Sequence, residues 1–137
     1  MTGPSFVDTN VLVYADDRSH PGKRDLAREL LRRVMAAGNG KLSTQVLSEF
    51  FAVATRKLGL AAADARRRVE IYGSLEVVRP SLQDVLAAID LHRLHEVAIW
   101  DALIIRCAQL SGCTVLYSED LQHGQRFDGV VVVDPFR

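Results

Sequence analysis

Ile99-Trp100-Asp101-Ala102-Leu103-Ile104-Ile105-Arg106-Cys107-Ala108-Gln109-Leu110, running on through Ser111-Gly112-Cys113 to Thr114-Val115-Leu116-Tyr117-Ser118-Glu119-Asp120-Leu121-Gln122-His123, is the stretch that decides the fold. Its first part reads as a helix with an acid in the opening turn; Ser111-Gly112 stops it, and Thr114–Tyr117 is a short apolar strand. At about 100° per residue, Trp100, Leu103, Ile104, Ile105, Cys107, Ala108 and Leu110 fill a wide apolar arc. Ala102, Arg106 and Gln109 make the narrow opposite side. Asp101 falls inside the apolar arc, between Ala108 and Ile105. Burying a bare carboxylate is costly, or forces it to take up a proton. Two reliefs are available: the N-terminal dipole of the helix it opens, which by itself often explains an acid near a helix start, and a cation with ligands from elsewhere in the chain.

On either side of this stretch, helices and strands alternate. Ser5–Asp8 reads as a strand ending in an acid, and Thr9-Asn10 turns the chain into a short helix, Val11–Ala15. Asp16–Pro21 reads as a loop. Lys23–Ala37 is amphipathic, with Leu26, Leu30, Leu31 and Val34 on one side and Gly38 at its end. Lys41–Leu42 is a brief strand, and Ser43 or Thr44 caps a helix running to about Leu58. Helix Ala61–Tyr72, strand Glu76–Val78, a Ser81-capped helix to Leu94 and a last strand, Val130–Val133, complete the pattern. Short apolar strands alternating with helices predict an α/β fold whose parallel sheet is buried on both faces. In such sheets the binding crevice lies outside the carboxyl ends of the strands. Asp8 and Ser118-Glu119-Asp120 both arrive at that edge.

Composition narrows the function less than the pattern does. The length, 137 residues, suits one domain covering 1–137 with a real core. Lys plus Arg and Asp plus Glu are 17 each, so bulk charge leaves no footprint for nucleic acid or membrane. Binding to a polyanion would need a local site or a bridging cation. No apolar run is long enough to span a bilayer, and Met-Thr-Gly-Pro-Ser lacks the marks of a secretion signal. Cys107 and Cys113 have no zinc-type spacing, and Cys107 reads as core. These features point to a reduced, cytoplasmic setting.

Four acids are candidates for a shared site. Asp8 serves equally well as a helix N-cap, although Thr9 and Asn10 could take that role. Glu49 lies at the margin of an apolar arc formed by Val46, Leu47, Phe50, Phe51, Val53, Ala54 and Leu58, where solvation or an Arg56 ion pair would also explain it. Asp120 stands beside Glu119, which reads as the solvated member of the pair; the sequence leaves open which of them turns inward. Convergence of Asp8, Glu49, Asp101 and Asp120 would be self-repelling, since one pair of like charges ~4 Å apart costs about 4 kcal/mol near a protein surface. A hard divalent cation would resolve it, and Mg²⁺ bridges readily to phosphate.

Phe6-Val7-Asp8-Thr9-Asn10-Val11-Leu12, Ser43-Thr44-Gln45-Val46-Leu47-Ser48-Glu49-Phe50, Ile99-Trp100-Asp101-Ala102-Leu103-Ile104 and Tyr117-Ser118-Glu119-Asp120-Leu121, in that order, resemble the PIN-domain family, and within it the VapC-type toxins of toxin–antitoxin pairs. The resemblance implies a three-layer α/β/α fold with a short, mostly parallel central sheet. It also implies a hydrolase: an endoribonuclease dependent on Mg²⁺ or Mn²⁺. It places the core acids at Asp8, Glu49 and Asp101 and a fourth at Asp120, with Thr9, Asn10 and Ser118 in support. Asp8 and Asp101 would hold the principal ion, Glu49 would bind directly or through water, and Asp120 would position a second ion or the attacking water. In-line attack on phosphorus would leave a 5′-phosphate and a 3′-hydroxyl. RNA as substrate, a VapB-like antitoxin and a homodimer follow from the same resemblance.

Other readings are weaker. A receiver-like phosphoacceptor needs a lysine after a late strand, and no lysine follows Lys57. A dehalogenase-type phosphatase wants an acid where Asn10 stands. A non-cleaving PIN scaffold that binds RNA or protein would be favoured by loss of core acids, and none is lost. His92 and His95 lack partners for metal ligation and read as rim residues. Arg66-Arg67-Arg68 reads as a solvated helix face, with contact to the RNA backbone by it or by Lys23-Arg24 as the minority reading. Trp100 reads as core packing beside the site.

Overall fold

The structure is a computed structural model describing residues 3–137; the reading of the start of the chain falls partly on Met1 and Thr2, outside the described residues. Twelve elements follow in order: β1 (Ser5–Val7), α1 (Thr9–Tyr14), α2 (Pro21–Ala37), β2 (Gly40–Ser43), α3 (Thr44–Arg56), α4 (Ala62–Tyr72), β3 (Glu76–Val78), α5 (Leu82–His95), α6 (Ile99–Leu110), β4 (Val115–Tyr117), β5 (Arg126–Phe127) and β6 (Val130–Val133). The strands form one sheet in the order β3-β2-β1-β4-β6-β5. Every pairing is parallel except β5 with β6. Helices α1 to α4 pack on one another, and α5 packs on α6, giving two helical layers around the sheet. No helix among the described residues is long and apolar enough to cross a membrane.

Local chemistry explains most boundaries. Pro21 opens α2, where its missing N–H costs nothing, instead of closing the preceding loop. At the other end Gly38 takes the left-handed conformation (φ 68°) and its N–H returns to the carbonyls of Val34 and Met35. The α2 core face is Ala27, Leu30, Leu31 and Val34; Leu26, expected there, is exposed. Ser43, not Thr44, caps α3, accepting from the Val46 N–H at 3.3 Å. Ser81 and Asp84 form a reciprocal capping box at the start of α5. Asp84 then accepts from Arg106 Nε at 3.0 Å, tying α5 to the polar side of α6.

Burial corrects three expectations. Edge strand β3 has an exposed Glu76, so the sheet is not covered evenly on both faces. On α6, Ala102 is fully buried, whereas Trp100 is 63% exposed and therefore not core packing. Strand β5, two residues long and without a sequence signal, pairs antiparallel with β6 across the Asp128-Gly129 turn. The main apolar cluster runs from Phe6 through Leu42, Phe50, Ile104 and Leu116 to Val132.

This topology places the functional edge. From β1 the chain crosses to β2 on one side, and later returns through α6 to β4 on the other. Strand order therefore reverses at β1, and the carboxyl ends of β1 and β4 flank the crevice such a reversal creates. The Asp8 N–H donates to the Tyr117 carbonyl at 3.0 Å, locking those two ends together.

Candidate active site

Asp8 is the residue immediately after β1 and is 3% exposed. It caps α1, its Oδ1 accepting from the Thr9 N–H at 2.7 Å, while Oδ2 accepts from Ser118 Oγ at 2.7 Å. The cap and site roles weighed for Asp8 are thus compatible, because each uses a different oxygen. Ser118 is fully buried after β4, and its hydroxyl also accepts from the Asp120 N–H at 3.1 Å. One serine therefore fixes the Asp8 carboxylate and the backbone that presents Asp120.

Asp101 reaches the same place from the first turn of α6. Carboxylate oxygens of Asp8, Asp101 and Asp120 all lie within 4.8 Å of one another. None of the three, nor Glu49, enters an ion pair among the described residues. Burial first, opposed by the bonds from Ser118 and Thr9 and reinforced by Asp120 and Asp101, pushes the Asp8 pKa up to about 7. Burial, then Asp120 and Glu49, also raises that of Asp101. Asp8 and Asp101 therefore hold negative charge reluctantly.

Glu49 stands next to this group without joining its tightest part. Its Oε1 accepts from Thr9 Oγ1 at 2.7 Å and its Oε2 from Gln45 Nε2 at 3.2 Å, and Arg56 forms no ion pair with it. Gln45 also donates to the Trp100 carbonyl at 3.3 Å, bridging α3 to the start of α6. Asn10 Nδ2 donates to Asp120 Oδ2 at 3.1 Å, and its Oδ1 accepts from the Glu119 N–H at 3.3 Å.

Glu119 is not the solvated member of its pair. It is paired with Lys23, and accepts from the Tyr14 hydroxyl at 2.8 Å. Burial pushes its carboxyl up, but the bonds from Lys23 and Tyr14 outweigh that and hold it below its ordinary value. Asp120 is the exposed one, and it is the acid in the cluster. Gln45 and Tyr14 carry no signal in the sequence, and Lys23 reads there only as a contact to the RNA backbone, because the partners that matter, Trp100 for Gln45 and Glu119 for Tyr14 and Lys23, lie more than fifty residues away. Arg66 pairs with Glu70, Arg68 with Asp16 and Arg24 with Asp25, so most of the basic residues considered for RNA contact are already engaged. His92 is exposed, with Nδ1 2.6 Å from the Val97 carbonyl, and His95 is exposed against the Phe127 ring.

A cavity of about 440 Å³ opens beside the cluster, with Asn10, Glu49 and Asp120 among its walls. Oxygen-only donors carrying uncompensated negative charge suit a hard divalent cation, not a soft one.

The sequence matches the PIN domain model over residues 5–126. No curated relative matches it. Among solved structures, a toxin–antitoxin complex from Klebsiella pneumoniae superposes with a TM-score of 0.68 at 20% identity, covering 96% of this chain and 97% of that one. DNA-bound VapBC from Salmonella typhimurium gives 0.67 at 22% identity, with 97% and 98% covered. VapC20 of Mycobacterium tuberculosis, a sarcin–ricin loop cleaving toxin, gives 0.63 at 19% identity, with 83% and 88% covered. At these identities the structural likeness speaks for the fold, and the sequence model, spanning most of the chain, speaks for descent: this chain belongs to the PIN-domain family.

Proposed function

We propose that residues 1–137 form one PIN domain acting as a divalent-cation-dependent endoribonuclease of the VapC type, the toxin of a cytoplasmic toxin–antitoxin pair. One observation carries this reading: Asp8, Asp101 and Asp120 bring carboxylate oxygens within 4.8 Å of one another, and among the described residues no basic side chain is paired to them. The structural relatives that are VapBC complexes support an antitoxin as partner, and VapC20 supports RNA as substrate. A homodimer belongs to the same reading.

Asp8, Asp101 and Asp120 would hold Mg²⁺ or Mn²⁺, with Glu49 beside Asp101 as a further oxygen donor. When bound, such an ion supplies positive charge against the phosphodiester and makes water a better nucleophile at neutral pH. The chain's own part is orientation. Ser118 and the Thr9 N–H fix both oxygens of Asp8 before any ligand arrives, and Thr9 Oγ1 does the same for one oxygen of Glu49. Asp120, exposed and steadied by Asn10, is the acid best placed to orient the attacking water.

The test is induced expression in bacteria together with a nuclease assay on purified protein. Wild type should arrest growth and cleave RNA with Mg²⁺ or Mn²⁺, and chelator should abolish cleavage. Asp101→Asn should lose at least ~100-fold in rate, in line with the loss of several kcal/mol of charge stabilisation. Equal toxicity and equal cleavage by Asp101→Asn would defeat the catalytic reading.

A further inference from the structure

The cavity beside the acids continues past them. Asp17, His20 and Lys57 line it, and they also line a neighbouring cavity of about 490 Å³ that contains none of the clustered acids, which places them at the far end. Val13, Tyr14 and Val53 supply apolar wall between. Its volume, about 440 Å³, lies in the range typical of small-molecule sites, roughly 300–1,000 Å³.

The polar groups at this end are arranged for a ligand other than a cation. Lys57 is exposed at the end of α3, and its ammonium has neither an ion pair nor a side-chain hydrogen bond among the described residues. Lys23, by contrast, is taken by Glu119. His20 Nδ1 lies 2.9 Å from Asp17 Oδ2, and Asp17 is 6% exposed and further bonded by the Ser19 backbone N–H at 3.0 Å. An ionised carboxylate only accepts, so Nδ1 carries the proton that faces Asp17, and in the tautomer this selects Nε2 is the acceptor. Nε2 has no partner among the described residues. The Tyr14 ring, edge-on to His20 at 5.7 Å, holds the imidazole in place.

A free ammonium and a free imidazole acceptor across an apolar wall match a phosphate and a sugar hydroxyl. We propose that this cavity binds the ribonucleotide next to the scissile phosphate, Lys57 taking its phosphate and His20 Nε2 its ribose 2′-hydroxyl. The 2′-hydroxyl is the group by which a protein separates RNA from DNA, so His20 is a specificity residue. The inference rests on the ribonuclease reading for its substrate, but its chemistry is separable from cleavage.

The experiment uses full-length Asp101→Asn protein in chelator at about pH 8. Fluorescence anisotropy measures its binding to a labelled single-stranded RNA of about twelve mixed-sequence nucleotides, and to the 2′-deoxy equivalent, across about 50–300 mM salt. The parent should prefer RNA. Adding Lys57→Ala should weaken both ligands about three- to tenfold and reduce the slope of log affinity against log salt by about 0.7, the value of one single-strand phosphate contact. Adding His20→Phe, which keeps a ring against Tyr14, should bring the RNA-to-DNA affinity ratio close to one while leaving the salt slope unchanged. A slope untouched by Lys57→Ala, or a ratio untouched by His20→Phe, overturns the assignment. Failure of wild type to cleave RNA with Mg²⁺, with these binding effects intact, would sink the nuclease reading and leave the nucleotide site standing.

Discussion

Asp8 should make the cation-free protein less stable as pH rises toward neutrality. Its carboxyl is buried and its pKa climbs from the ordinary 3.8 to about 7, chiefly through desolvation. The sign follows from proton counting. Below the unfolded-state value both states hold the proton and Asp8 makes no difference. Between there and about 7 the folded state keeps the proton that the unfolded state has released, so stability falls with each step up in pH. Above about 7 both states are ionised and the loss is complete. A rise of roughly three in pKa, at about 1.36 kcal/mol each, amounts to about 4 kcal/mol. That is a large part of the ~5–15 kcal/mol stabilising an ordinary domain.

The assay is urea unfolding in chelator at several pH values from about 4 to 8, on wild type and Asp8→Asn. Asp8→Asn preserves shape without a titrating group, so the difference between the two proteins isolates the Asp8 contribution. It should shift by up to about 4 kcal/mol across the window, with wild type losing ground as pH rises. Mg²⁺ or Mn²⁺ should then restore wild type at neutral pH, by about 2.7 kcal/mol at a hundredfold excess over its dissociation constant, and restore Asp8→Asn far less. Parallel pH dependences for the two proteins would refute the claim that this carboxylate is destabilised by burial, and an equal response to the ion would refute its role as a ligand.

Three further outcomes follow from named contacts. Calorimetric titration with Mn²⁺ should show roughly tenfold weaker binding in Asp120→Asn and near-parental binding in Glu119→Gln, because Lys23 and Tyr14 hold Glu119 away. Phe50→Ala removes a fully buried ring that packs edge-on to Tyr72 at 5.4 Å, and should cost about 3–5 kcal/mol by denaturant unfolding. Ser81→Ala breaks the capping box of α5 and should cost about 1 kcal/mol in the same measurement, with nuclease activity retained.

What the sequence revealed, and what it hid, divides by range. Asp101 was legible because a helix imposes one angle per residue, so an acid inside an apolar arc announces itself within a single turn. The strand-end position of Asp8 was equally local, and parallel-sheet topology then carried it to the crevice edge. Trp100 was misread for a related reason: the wheel gives direction around an axis but not where the neighbouring elements stop. At the start of α6 Trp100 lies 63% exposed while Ala102 opposite is buried. β5 left no pattern because two residues are too few to show a period.

The Glu119-Asp120 doublet shows the deeper limit. Both are acids after the same strand, and no local rule separates them. The separation comes from α1 and α2, where Tyr14 and Lys23 meet Glu119 across about a hundred residues of sequence and leave Asp120 as the group free to turn toward Asp8 and Asp101. A cation from the chain thus neutralises the acid outside the cluster, while the acids inside it are left with no such partner. That distribution is hard to explain as surface solvation, since a fold that brings Lys23 to the rim brings no basic side chain among the described residues to the Asp8 carboxylate, which is 3% exposed. It agrees with the proposed cation site, because any resident lysine would compete with the ion for the same oxygens.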